Sequence, residues 1–154
     1  MTTYRVLVAA ALALAVVAFV LVRHAGAPAV VADPVRTPGV LNADVRQATI
    51  GTTICVQGWT RSVRPPSEYT SALKLRQMRA YGETGPPSAY QEDHLISLEL
   101  GGHPTDPRNL WPEPYPRAAQ VDAIENELNA QVCNGSLTLT QAQQKESALK
   151  HNQG

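Results

Sequence analysis

Glu92-Asp93-His94-Leu95-Ile96-Ser97-Leu98-Glu99-Leu100-Gly101-Gly102, followed by Asn109-Leu110-Trp111-Pro112, is the stretch on which the fold turns. An acid and a histidine stand side by side, an apolar run and a double glycine follow, and an asparagine comes fifteen residues after the histidine. Leu95, Ile96, Leu98 and Leu100 suit a short buried strand carrying the Asp-His pair. Gly101-Gly102 suits a tight reversal, because glycine reaches backbone angles closed to other residues. Neighbours on a regular strand face opposite ways. Asp93 and His94 therefore share one site only if the strand is bent or bulged; otherwise one of them is structural.

These residue types suit hydrolysis at a metal. A hard divalent ion such as Mg²⁺ prefers oxygen ligands and takes few of them from protein, keeping several waters. Asp93 offers a carboxylate and Asn109 an amide oxygen. His94, neutral near pH 7, is suited to take a proton from water.

The segment resembles the HNH, or ββα-metal, nuclease motif: a histidine-bearing strand, a glycine-rich loop, an asparagine-bearing strand and a closing helix. The histidine-to-asparagine spacing is one residue longer than the common pattern. More narrowly, residues 38–148 look like small exported bacterial HNH-like proteins. That likeness rests on Thr53-Ile54-Cys55, Gly58-Trp59-Thr60, Arg64-Pro65-Pro66, Glu92-Asp93-His94 and Asn109-Leu110-Trp111-Pro112-Glu113-Pro114. The resemblance implies a small single α+β domain built around a ββα-metal motif with additional helices. It implies a metal-dependent endonuclease acting on DNA or RNA, with His94 as general base and Asp93 as a ligand to Mg²⁺, Mn²⁺ or a similar ion. Asn109 becomes a second ligand or the residue that fixes the loop carrying His94. The chain departs from the family pattern at Ser97, where proline is usual. The third motif residue on the closing helix has no clear counterpart, and Asp122 and Glu125 stand as its candidates. The rival expectation is a non-catalytic envelope or secreted binding protein that keeps the fold.

An apolar run from Val6 to Val22, between Arg5 and Arg23, reads as a signal peptide or an N-terminal membrane anchor within residues 1–32. Export follows, with the protein secreted or held at the outer face of the cytoplasmic membrane. Residues 33–40, with Pro34 and Pro38, read as a linker, and 41–150 as the domain. In an oxidising compartment Cys55 and Cys133, the only cysteines, are expected to pair. No CxxC or HxxxH spacing supports zinc.

The chain is neutral overall, yet its charge is divided. Arg61, Arg64, Lys74, Arg76 and Arg79 lie in a segment with the single acid Glu68. The following segment, Glu92 to Glu127, holds eight acids against Arg108 and Arg117. A basic segment for phosphate beside an acidic one for metal suits a nucleic acid substrate. Arg64, Lys74 and Arg108 are the candidate phosphate contacts, and no protein partner is indicated. Glu92, Glu99 and Glu113 are expected in solvent, and His103 in a loop.

Residues 67–81 read as a helix behind Pro65-Pro66, ending at Gly82. Val121, Ile124, Leu128 and Val132 mark a helix over 117–132, with Asp122 and Glu125 off its apolar stripe. Thr140 and Gln143 suggest a capping box for a last helix to Lys150. Ile54 to Thr60 looks like a strand.

Overall fold

The computed structural model describes residues 30–152. Strands β1 (Tyr90–His94) and β2 (Leu110–Pro114) form an antiparallel pair in unbroken register, with Asp93 opposite Trp111 and His94 opposite Leu110. Around the pair stand α1 (Trp59–Val63), α2 (Ser67–Tyr81), α3 (Arg117–Cys133) and α4 (Leu139–Asn152). Helices α2 and α3 each pack against both strands, and α3 also packs against α4. The architecture is a small α+β domain with one disulfide.

Burial explains the elements. Val121, Leu128 and Val132 of α3 join Val45, Ile54, Ile96, Leu100, Leu139 and Ala142 in the core, with Ile124 half-buried beside them. A smaller cluster sets Trp111 against Ala32 and Leu95, with the Tyr81 ring tilted 43° to it and the ring centres 6.2 Å apart. Helix α2 ends at Gly82, which takes a left-handed φ of 75°. Helix α4 starts behind a capping box, two residues ahead of the expected one. The Thr138 hydroxyl accepts from Gln141 N–H, and Gln141 Oε1 accepts from Thr138 N–H.

Three expectations change. The apolar run Leu95–Leu100 is no strand: β1 stops at His94, and Leu98–Leu100 form a single 3₁₀ turn. A buried loop needs partners for its backbone, and side chains supply them. Asn109 bonds Ile96, the Glu146 carboxylate accepts from Ser97 N–H, Asn129 donates to Glu99 O and Gln143 donates to Leu100 O. Ile54 to Thr60 is likewise a run of turns leading into α1, since Gly58 adopts φ 83° and the backbone bonds stay local. Residues 33–40 are no linker. Thr37 is buried, Gly39 N–H donates to Arg108 O and Val40 O accepts from His103 N–H, so this segment is part of the domain. The Val6–Val22 run lies outside the described residues; among those described, no helix is long and apolar enough to cross a membrane.

Gly101 and Gly102 serve the loop differently. Gly101 adopts φ 78°, whereas a Cβ on Gly102 would fall 1.7 Å from Ile96 O and 2.6 Å from Asn109 Nδ2. Gly102→Ala should therefore abolish the cooperative thermal transition, and a mutant melting like wild type would refute this close approach. Cys55 and Cys133 are bonded across 78 residues. By the chain-entropy model the bridge contributes about 4 kcal/mol. A Cys55→Ser/Cys133→Ser double mutant should lose about that much in urea unfolding, and no change in midpoint would contradict it.

Candidate functional site

β1 runs without a bulge, so Asp93 and His94 leave the strand on opposite faces. Gln91, which lines the His94 cleft and donates to Asp93 Oδ1, links the two sides. His94 faces a cleft of about 390 Å³ that it shares with Arg64, Pro65, Ser67, Thr70, Gln91 and Glu92. Its ring is 5% exposed, and Nε2 lies 3.0 Å from the carbonyl oxygen of Pro104. A carbonyl only accepts, so Nε2 carries the proton and Nδ1 the free lone pair. Nδ1 has no hydrogen-bond partner among the described residues. Burial pushes the imidazole below its usual 6.5, against the opposing pull of the Pro104 carbonyl and Asp93, so the ring is neutral at pH 7.

Asp93 faces inward, toward α3 and α4. Its Oδ2 accepts from Lys150 Nζ at 2.7 Å, and Oδ1 accepts from Gln91 Nε2 at 3.3 Å. Oxygens of Asp93, Asp122 and Glu125, one from each, lie within 4.8 Å of one another. Glu125 was expected off the buried face of its helix, but it is buried and accepts from Lys150 Nζ at 2.6 Å. The ammonium draws it in, because an isolated buried carboxylate would be unstable there. Glu113, expected in solvent, is buried as well.

The electrostatics follow from that packing. Burial would raise the Asp93 carboxyl, but Lys150 outweighs it and holds Asp93 at about 2. Burial, together with the neighbouring Asp93 carboxylate, lifts Glu113 to about 9, so Glu113 is protonated at pH 7. Burial lifts Glu125 to about 7 despite Lys150. It also holds Glu146 well above the usual carboxylate range. Glu92, also expected in solvent, has both carboxyl oxygens buried without a partner, and burial raises it to about 8. With Asp93, Asp122 and Glu125 all ionised, their three negative charges against Lys150 leave two.

Asn109 takes the loop-fixing role. It is fully buried, its Oδ1 accepts from Ile96 N–H, and its Nδ2 donates to Ile96 O and His103 O. The side chain thus ties the two ends of the loop whose Pro104 carbonyl orients His94. With its amide engaged on the loop, Asn109 stands apart from the converging carboxylates as a structural residue. His103 is a loop residue, its Nδ1 accepting from Thr105 N–H and Asp106 N–H.

Of the three basic candidates, only Arg64 lines the His94 cleft. It caps α1 in extended conformation at φ −62°, ψ 128°, and Pro65-Pro66 carries the chain on into α2. Lys74 is turned away, its Nζ donating to Pro87 O and Tyr90 O, both at 2.9 Å. Arg108 is forked onto Asp106, with Nη2 at 2.7 Å from Oδ2. Both basic groups are thus engaged within the fold.

Lys150, Glu146 and Gln91 were missed. Lys150 and Glu146 stand four apart on α4, a spacing that marks a helical ion pair, but nothing local reveals that both are buried. Comparison of the chain with protein-family models, with curated proteins and with solved structures returns no match.

Asn109→Ala should destabilise the domain by about 3 kcal/mol or more, because it strands one buried N–H and two buried carbonyls. Urea unfolding measures this, and a wild-type midpoint would rule out the loop-fixing role.

Proposed function

We propose that this chain is a metal-assisted phosphodiester hydrolase of the HNH-like kind, acting on DNA or RNA, with His94 as general base. The observation that carries the reading is the state of His94: a neutral imidazole, held at Nε2 by a loop carbonyl, with a free Nδ1 in a cleft that also holds Arg64. Nδ1 is the atom that takes the proton from water, and the guanidinium is placed to hold a phosphate oxygen. The order β1, β2, α3 is the strand, strand, helix order of the ββα-metal motif, and Asn109 binds the loop between its strands.

Asp93, Asp122 and Glu125 fit a hard divalent ion. The donors are all oxygen. Lys150 does not engage Glu125 Oε2 and leaves Asp93 Oδ1 with the 3.3 Å bond from Gln91 Nε2. The two negative charges left when all three acids are ionised match one such ion. They would hold Mg²⁺ or Mn²⁺, which supplies electrostatic stabilisation of charge on the phosphate and leaving oxygen. An exported location, where a disulfide persists, belongs to the same reading. The engagement of Asp93 and Glu125 with Lys150 favours a second reading, in which the fold serves binding alone.

The purified chain with Mg²⁺ or Mn²⁺ should cut DNA or RNA, and digestion of neither would refute the enzymatic reading. His94→Ala should lower the rate by about 100-fold or more while the protein still unfolds cooperatively. Because the His94 pKa lies below 6.5, its base form persists as pH falls through 6.5, and the acid limb of kcat/KM should lie below that value. An acid limb above pH 7 would count against His94 as the base.

A further inference from the structure

The acid centre contains its own cation. The Lys150 ammonium is fully buried and donates to Asp93 Oδ2, Glu125 Oε1 and the carbonyl oxygen of His94, which uses all three of its protons. Glu146 Oε1 lies 3.6 Å away. Its backbone is anchored too, since Lys150 O accepts from Ala32 N–H. Resting on the metal-assisted reading above, we propose that Lys150 is a positioning residue, the permanent counter-cation of the metal site. It holds Asp93 and Glu125 in ligating position before any metal arrives, and it limits the site to one divalent ion.

The physical case starts from repulsion. Carboxylates this close together, Asp93 and Glu125 buried and Asp122 exposed, do not all stay ionised unless a cation joins them; one takes a proton or turns away. Sites that depend on the metal for this cohesion form only as it binds. Here an ammonium supplies the cohesion from a separate helix, bonding one oxygen each of Asp93 and Glu125 and leaving the other. Its bond to the His94 carbonyl ties the end of β1, and so the base, to the same point. Lys150 also cancels one of the three ligand charges. Removing it takes a positive charge from beside the incoming ion. That gain exceeds the pre-positioning lost, because the metal then gathers the same carboxylates, so binding should tighten. Removing a merely structural lysine would loosen the site and weaken binding.

The experiment measures Mn²⁺ affinity by calorimetry on the full chain and on Lys150→Met, with near-ultraviolet circular dichroism and thermal melts in EDTA. Wild type should bind one Mn²⁺ and, stripped of metal, keep the near-ultraviolet signal of Trp111, which pairs with Asp93 across the strands. K150M should bind Mn²⁺ at least about tenfold tighter, the effect of one neighbouring charge even when screened as in water. Its melting temperature in EDTA should fall and be largely restored by Mn²⁺. A folded K150M that binds Mn²⁺ no tighter than wild type overturns the inference and leaves the metal-assisted reading intact. So does a wild type that binds Mn²⁺ but loses its near-ultraviolet signal in EDTA. Absence of Mn²⁺ uptake by both proteins overturns the metal-assisted reading, and this inference with it. Should K150M not fold, Lys150→Gln is read the same way, and the metal-free spectrum of wild type decides by itself.

Discussion

One buried ammonium ties the domain together. Lys150 draws its bonds from β1 and α3, with Glu146 beside it on α4, and its own carbonyl secures the segment that enters the domain at Ala32. The buried Asp93 and Glu125 carboxylates would not be stable as ions in their positions without a positive charge between them. The cost of burying an ion is offset here by full hydrogen bonding of the ammonium and by several acids. Of these, Glu113 stays protonated and Glu146 is held well above the usual carboxylate range by burial. Such a centre adds little to net stability relative to an apolar one. What it adds is arrangement, because the ammonium's three bonds require β1 and α3 to meet α4 at one point.

The second organising device is the exchange of backbone partners for side-chain partners in the loop from Leu95 to Leu100. Its apolar side chains fill the core and its polar backbone goes with them. Asn109, Asn129, Gln143 and Glu146 reach in from three other elements to bond it. The loop is therefore as fixed as a strand would be, and it delivers the Pro104 carbonyl to His94 at a set distance. Orientation of the imidazole depends on residues that never approach the cleft.

Much of this was legible beforehand, for local reasons. The helices at 67–81 and 117–132 announce themselves through proline, glycine and apolar spacing, and the two cysteines through their solitude. Asp122 and Glu125 are legible as neighbours on the closing helix, since helical spacing alone places them on adjoining positions. Leu95 to Leu100 misled because an apolar run tells of burial but not of backbone shape. The bonds that decide the shape come from residues up to 49 positions away. Lys150 was invisible for the same reason: a lysine near a chain end is ordinarily solvated, and only the assembled helices enclose it. Lys74 and Arg108 show the converse. Charge counted along a segment does not reveal that a carbonyl pair or a neighbouring aspartate already holds the group.

Arg64 stands between the end of α1 and two prolines, in the extended backbone that a following proline favours. A side chain of this length usually surrenders both backbone and rotamer freedom when it meets a ligand. Here the backbone share is surrendered at folding, because Pro65 and Pro66 leave that segment few other shapes. The guanidinium is thus offered from a stiff mount, and only its side-chain torsions remain to be ordered when an anion enters the cleft. Rigidity at that point makes anion capture a matter of swinging one arm, with the main chain already in place.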